Sequence, residues 1–365
     1  MEYKISFGKD ETAIIKSVAV SLMFIHHLFL DPEGIEYCNQ EFFYNLSAIG
    51  KICVSIYSFI TGYGIYYSYE KNNNCGAVKR VSRLYIRYWI ILLLFYLPMQ
   101  VIAGDFSFTL DTAFDYAINI TGFQTSLNPN SWFLRNWVVF IITAPWLFKV
   151  MKKISNIAVE LLLFVVLPIV ISLIWNNYFL VTTLPDVLYY TVNEVLFSIM
   201  VYTPFFTLGS IIAKYKLFNK LFSWLQKNVG KWLLATLSIV VLLFMYIIPI
   251  NKVYIYGMYY SYLVATPIFI VALVVLINTL NVKAVNKVLG FLGKHSSNMW
   301  LVHGAFYLGV FRPILYSVRY PLLILLFLTA ISLISSIVTE KLVNLIDNKL
   351  IKSNKEKNKV LYTGN

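Results

Sequence analysis

The sequence predicts an all-α integral membrane protein: a bundle of about ten transmembrane helices with both termini cytoplasmic. Three observations carry that expectation. The 365 residues are 59% hydrophobic and only 13% charged, where a soluble domain carries about 25% charged residues. Apolar runs close to the roughly 20 residues that a helix needs to cross hydrocarbon recur along the whole chain. The loops between them alternate in charge, so that 25 of the 30 Lys and Arg fall on one side. The positive-inside rule makes that side cytoplasmic.

The first span, 13–30, follows Lys4 and Lys9 and carries Lys16 near its start. No small-x-small site follows Leu30, so the run is expected to be a retained helix rather than a signal peptide. The second span, 52–70, is followed by Lys71, Lys79, Arg80 and Arg83, with Arg87 just inside the third, 84–103. The fourth, 132–149, opens on Trp132, an interfacial anchor by type, and ends in Lys149, Lys152 and Lys153. The fifth and sixth, 157–176 and 194–213, lead to Lys214, Lys216, Lys220, Lys227 and Lys231. The seventh and eighth, 232–250 and 257–280, lead to Lys283, Lys287 and Lys294, and the ninth and tenth are 289–310 and 321–340. The opposite side collects Asp31, Glu33, Glu36, Glu41, Asp105, Asp111, Asp115, Asp186 and Glu194.

Residues 1–345 therefore form one transmembrane domain, and 346–365 a polar cytoplasmic tail expected to be disordered. The net charge of +13 marks orientation and affinity for anionic membrane lipids, not nucleic acid. Cys38, Cys53 and Cys75 are odd in number and lack metal-ligand spacing, so no disulfide framework and no metal site are expected. No internal repeat stands out, which leaves the weak inverted repeats of transporters open.

The stretch SLMFIHHLFL puts His26 and His27 inside the first span. Ionisable groups in hydrocarbon are costly and are kept for function. His27 lies eleven residues after Lys16, about 20° from three full turns, so the two share a face about 16 Å apart along the axis. His26 points about 100° away, toward a neighbouring helix or the lipid interface. A low-dielectric site favours the neutral imidazole, which can accept a proton as a general base. Arg80 and Arg83 stand at i, i+3 on one helix face. They are either cytoplasmic anchors or a forked phosphate clamp, and the charges alone do not choose. His303 shares a face with Ser296 and lies near Ser297, a pattern that also serves interhelical hydrogen bonding. Trp132 is a belt residue or a sugar platform. Arg135 is one of five cations off the basic side, with Lys51, Lys252, Arg312 and Arg319, and a polar partner or substrate contact is expected for it.

Lys16-x10-His27 followed by Arg80-x-x-Arg83 resembles the membrane-bound acyltransferase-3 family, which includes bacterial O-acetyltransferases of surface polysaccharides. CVSIYSFITGYG (53–64) is similar to that family's second-helix motif, SWFLRNWVVFIITAPWLF (131–148) to its Trp-Phe-Leu helix start, and LGKHSSNMWLVHGAFY (292–307) to its late Ser…Leu-x-His helix. The matches run in order through nearly the whole chain. The resemblance implies ten catalytic-domain helices and cytoplasmic acetyl-CoA as donor substrate, with no permanently bound cofactor. It implies Lys16 and His27 at the reaction centre, and Arg80 and Arg83 in acyl-CoA binding or pore architecture. Three positions depart from the family pattern: Thr61 replaces the usual serine, Ser55 stands where many members have aspartate, and Lys16 cannot make an arginine's bidentate contact. No hydrolase-like domain is expected after the tenth helix.

The expected chemistry is acetyl transfer to a hydroxyl of a surface or capsular polysaccharide or its lipid-linked precursor. His27 is the base in direct attack, with an acetyl-His27 intermediate as the variant. Thr61, Trp132, Arg135, Ser297 and His303 are supporting contacts. Two alternatives remain open: a transporter of lipid-linked sugars, and a family member acting on a lipid or other small acceptor. The expected setting is the plasma membrane, and a homo-oligomer stays open.

Overall fold

Hydrocarbon offers no hydrogen-bond partners, so a spanning segment must satisfy its backbone internally, as a helix does. The computed structural model follows that rule. It describes residues 4–30, 35, 39–105, 109–178, 190–247, 254–255 and 258–362. Asp31, Glu33, Glu36, Cys38, Asp186 and Lys252 lie outside the described residues. Eight helical runs are long and apolar enough to cross a membrane: Lys9–Phe29, Gln40–Asn72, Ala77–Ala103, Pro129–Lys153, Ile157–Trp175, Glu194–Lys214, Tyr262–Leu280 and Pro321–Asp347. The chain is thus an all-α, multi-pass membrane protein. The expected seventh span lies in a shorter apolar helix, Lys231–Met245. One two-residue ladder, Tyr254–Ile255 with Met258–Tyr259, is antiparallel.

The elements used below are α1 (Lys9–Phe29), α2 (Gln40–Gly50), α3 (Ile52–Asn72), α4 (Ala77–Ile91), α5 (Leu97–Ala103), α6 (Leu110–Thr121) and α7 (Phe133–Lys153). They continue with α8 (Ile157–Leu161), α9 (Leu167–Tyr178), α10 (Phe197–Lys214), α11 (Leu217–Asn228), α12 (Lys231–Ile247), α13 (Tyr262–Leu280) and α14 (Lys283–Val302). The last are α15 (Gly304–Tyr307), α16 (Arg312–Tyr316) and α17 (Pro321–Tyr362).

Small residues set the seams of the bundle, as they do where van der Waals packing drives helix association. A Cβ on Gly62 would lie 1.8 Å from the Phe206 carbonyl oxygen, and one on Gly209 would lie 2.1 Å from that of Phe59. α3 and α10 therefore cross backbone to backbone, antiparallel. A Cβ on Gly293 would lie 1.7 Å from the Ala13 carbonyl oxygen, so α14 closes onto α1. Farther along, the His303 ring reaches Phe24 and His27, which makes α1 and α14 parallel. Gly50 gives α2 the same close approach to Leu22 and His26, while the Tyr57 hydroxyl donates to the Lys16 carbonyl at 3.2 Å. α3 thus runs back along α1 and delivers the start of α4 to the Lys16 end.

Two prolines are absorbed by register changes. Pro98 and Pro168 each follow a π-turn, Leu92–Tyr96 and Leu162–Val166. Proline lacks an N–H and crowds the carbonyl four residues back, and a wider turn relieves both problems.

The structure corrects four expectations. The second span begins earlier, because α2 runs through Lys51 into α3 as one stretch, Gln40–Asn72. The ninth, 289–310, is not one helix: α14 ends at Val302, α15 stops where Leu308 turns extended, and Gly309 has φ +61°. Stretches read as loops hold the helices α6 and α11. The tail expected to be disordered continues α17 to Tyr362, since extending an existing helix avoids the cost of nucleation.

Candidate functional site

A cavity of about 1000 Å³ runs along α1, at the upper end of the range for ligand pockets. Lys16, Thr61, Arg80, Arg83, Trp132, Arg135, Ser297 and both His26 and His27 line it. The structure thus brings together residues that the sequence spreads over nearly 300 positions. α1 is one unbroken helix between Lys16 and His27, so the two mark points on the cavity wall about 16 Å apart.

The Lys16 end is cationic. Arg80, Arg83 and Arg87 rise from the first turns of α4. Arg83 meets the Asp347 carboxylate of α17 at 2.6 Å and 3.1 Å. Arg87 makes a two-pronged contact with Glu340 at 3.0 and 3.1 Å. Arg80 donates Nε–H to the Cys75 carbonyl at 2.9 Å and stands close enough to Lys16 for the two charges to repel. The sequence gives Arg80 and Arg83 as an equal pair. The structure makes them unequal, because α17 brings a carboxylate to Arg83.

The other end is aromatic and densely hydrogen-bonded. The His27 ring is flanked by His26, His303 and Tyr307, with centroids 5.0, 5.2 and 5.4 Å away. His26 turns to a neighbouring helix, as its spacing predicts: its Nδ1 bonds the Ser47 carbonyl of α2 at 2.9 Å, and it also lines the cavity. A step of 100° is narrower than the wall that α1 presents. His303 lies at the break after α14, fully buried, behind the lining residues. Its Nδ1–H donates to the Trp300 carbonyl at 2.6 Å. Its Nε2 is therefore a bare acceptor, without a hydrogen-bond partner. Trp132 packs on Tyr202 with centroids 5.3 Å apart, and Arg135 donates to the Phe123 carbonyl at 2.9 Å. Thr61 bonds the Tyr57 carbonyl four residues back, so its hydroxyl is engaged within its own helix. Ser55, at the family's aspartate position, is occupied elsewhere, with Thr266 and the Ile52 carbonyl.

The sequence reading missed a buried turn, Pro129–Ser131, just before α7. Asn130 is 7% exposed and lines the cavity. Its backbone carbonyl accepts from Trp300 Nε1 at 2.9 Å, and its Oδ1 accepts from the Tyr307 hydroxyl at 3.0 Å. Its Nδ2 has no hydrogen-bond partner among the described residues. A Cβ on Gly304 would meet that Nδ2 at 2.4 Å and the Tyr96 hydroxyl at 2.6 Å, so the glycine after His303 makes room for the amide. The available signal was the Asn-Pro-Asn-Ser run before Trp132, polar residues that read as loop punctuation.

The arrangement offers a cationic pocket for an anion and, about 16 Å farther along the same face of α1, a cluster of imidazoles. Comparison with known families adds one finding. The family model described as an acyltransferase domain, that of the acyltransferase-3 family, matches residues 13–341. No curated protein and no solved structure matched the chain.

Proposed function

The chain belongs to the acyltransferase-3 family, and from that premise we propose that it is a plasma-membrane O-acetyltransferase. Its donor is cytoplasmic acetyl-CoA, and its acceptor is a hydroxyl of a surface or capsular polysaccharide or its lipid-linked precursor. One observation carries the reading: Lys16, Arg80 and His27 line one continuous cavity. Cations at one end suit the phosphates of the donor. An imidazole at the other suits proton transfer from the acceptor hydroxyl.

In this mechanism Arg80 and Lys16 hold the donor's phosphates, and Arg83, already facing Asp347, shapes the entrance. The acyl arm runs along α1 to His27. His27 takes the hydroxyl proton as the oxygen attacks the thioester carbon. The C–S bond then breaks, and the CoA thiolate leaves with the proton that His27 returns. The acetyl group crosses the bundle while CoA stays on the cytoplasmic side. Trp132 offers the sugar ring an apolar face, with Arg135 and Ser297 as polar contacts. His303 buttresses the His27 ring.

The test is NMR of purified surface glycan from three strains: gene deleted, complemented with wild type, and complemented with His27→Ala at matched membrane level. The proposal expects the O-acetyl signal to vanish on deletion, return with wild type and stay absent with His27→Ala. Persistent acetylation in the His27→Ala strain sinks the assignment of the base. Loss of the glycan itself on deletion favours transport of a lipid-linked sugar instead.

A further inference from the structure

Six Lys and Arg side chains line the cavity, and Glu194 is the only carboxylate among its described lining residues. It is half-buried, and no described residue pairs with its carboxylate. It sits in the π-helical turn Tyr190–Leu196 that leads into α10. Such wide turns are rare and recur at functional sites. Ser198 and Tyr202, on the next turns of the same run, also line the cavity, so the three form one stripe along it. Contacts with other elements fix the level of that stripe. Asn136 Nδ2 donates to Ser198 Oγ at 2.8 Å, which sets Glu194 near the first turn of α7. Asn130, just before α7, accepts from the Tyr307 hydroxyl at 3.0 Å, and the Tyr307 ring stacks on His27. Glu194 and His27 therefore belong to the same end of the cavity, where Trp132 packs on Tyr202.

We infer that Glu194 is a specificity-determining residue whose carboxylate accepts hydrogen bonds from the hydroxyls of an uncharged sugar ring on the acceptor. The inference rests on the acetyl-transfer reading above. A carboxylate offers about four lone-pair sites and takes O–H donors in short, charge-assisted bonds, so it can hold two neighbouring hydroxyls at once. Trp132 and Tyr202 supply the apolar surface that the C–H face of a sugar ring needs. The ring is then held for the hydroxyl that His27 deprotonates. The same charge repels a carboxylate or phosphate on that ring. It also keeps the donor's phosphates, which the cations of the Lys16 end attract, from docking at the wrong end.

Glycan purified from the deletion strain, and so not acetylated by this chain, serves as the acceptor. Solubilised membranes carrying wild type, Glu194→Ala, Glu194→Gln or His27→Ala are titrated with it at saturating radiolabelled acetyl-CoA, and folded protein is normalised by detergent gel filtration. Glu194→Ala should raise KM for the glycan about 10–100-fold, the worth of hydrogen bonds to a charged group. KM for acetyl-CoA, and kcat at saturating glycan, should stay within about threefold of wild type, the mark of uniform binding. Glu194→Gln keeps one acceptor oxygen without the charge and should fall between wild type and Glu194→Ala; a Gln variant no better than Ala counts against the hydrogen-bonding role. NMR of the product should place the O-acetyl group on a neutral sugar residue, and an O-acetyl group on a uronic acid or a phosphate-bearing residue overturns the inference. So does a folded Glu194→Ala variant with unchanged glycan KM, or a loss confined to kcat or to KM for acetyl-CoA. Transfer by wild type and none by His27→Ala keeps the acetyl-transfer reading in place while the Glu194 variants are judged. Wild-type membranes that transfer no label overturn that reading, and the inference with it.

Discussion

The two ends of the cavity differ in what their polar groups meet. At the Lys16 end, Arg83 and Arg87 are each matched to a carboxylate of α17. At the His27 end, Asn130 Nδ2 and His303 Nε2 are buried with no hydrogen-bond partner among the described residues. Ion pairs between helices hold architecture together, and their arginines gain little from a further ligand. Unmatched buried groups are kept at a cost, and here they lie in the packing behind the His27 ring. In the proposed mechanism the contrast separates binding from chemistry along one helix, and each end can be perturbed alone.

The largest expected effect lies at the unmatched end. His27→Ala should lower kcat for acetyl transfer by at least about 10²–10⁴-fold, the usual worth of a general base, while coenzyme A binding by isothermal titration stays intact. A variant that lost CoA binding instead would erase the division between the two ends. Next comes Arg80→Ala, which removes a cation that no described carboxylate pairs. It should raise KM for acetyl-CoA by about 10–100-fold with kcat nearly unchanged, the mark of uniform binding. Arg83→Ala should cost less, because Asp347 already shares its charge, and an equal loss at the two would restore the symmetric clamp that spacing alone suggests. Tyr307→Phe keeps the ring that stacks on His27 but leaves Asn130 Oδ1 without the hydroxyl that bonds it; it should destabilise the protein by about 1–3 kcal/mol, read as a lower midpoint of thermal unfolding in detergent. The smallest effect belongs to Glu340→Gln. The pair with Arg87 is partly exposed, and losing it should destabilise the protein by roughly 1–2 kcal/mol, read as a shift of a few degrees in thermal unfolding in detergent.

Much of this was legible in the sequence, and the reasons are local. Charge alternation and apolar run length gave the membrane class. The 3.6-residue period put Lys16 and His27 on one face, and the structure lines one cavity with both. Other features depended on contacts that no period encodes. Asp347 lies 264 residues from Arg83, and nothing local marks it as the partner. The break at His303 follows from what packs there, since Gly304 makes way for Asn130 and Tyr96. Asn130 itself looks like any turn residue until tertiary packing buries the turn.

The uninterrupted helix between Lys16 and His27 also acts as a ruler. Its length is fixed by rise per residue, about 1.5 Å for each of eleven steps, and no hinge lets it adjust. A molecule anchored by its anionic head at the arginine end must carry its reactive or heterocyclic tail that far and no farther. Under the proposed donor site, selective inhibitors of this chain are set by linker length: a rigid spacer of about 16 Å engages both ends at once, and one a few ångströms shorter binds with the affinity of its head group alone.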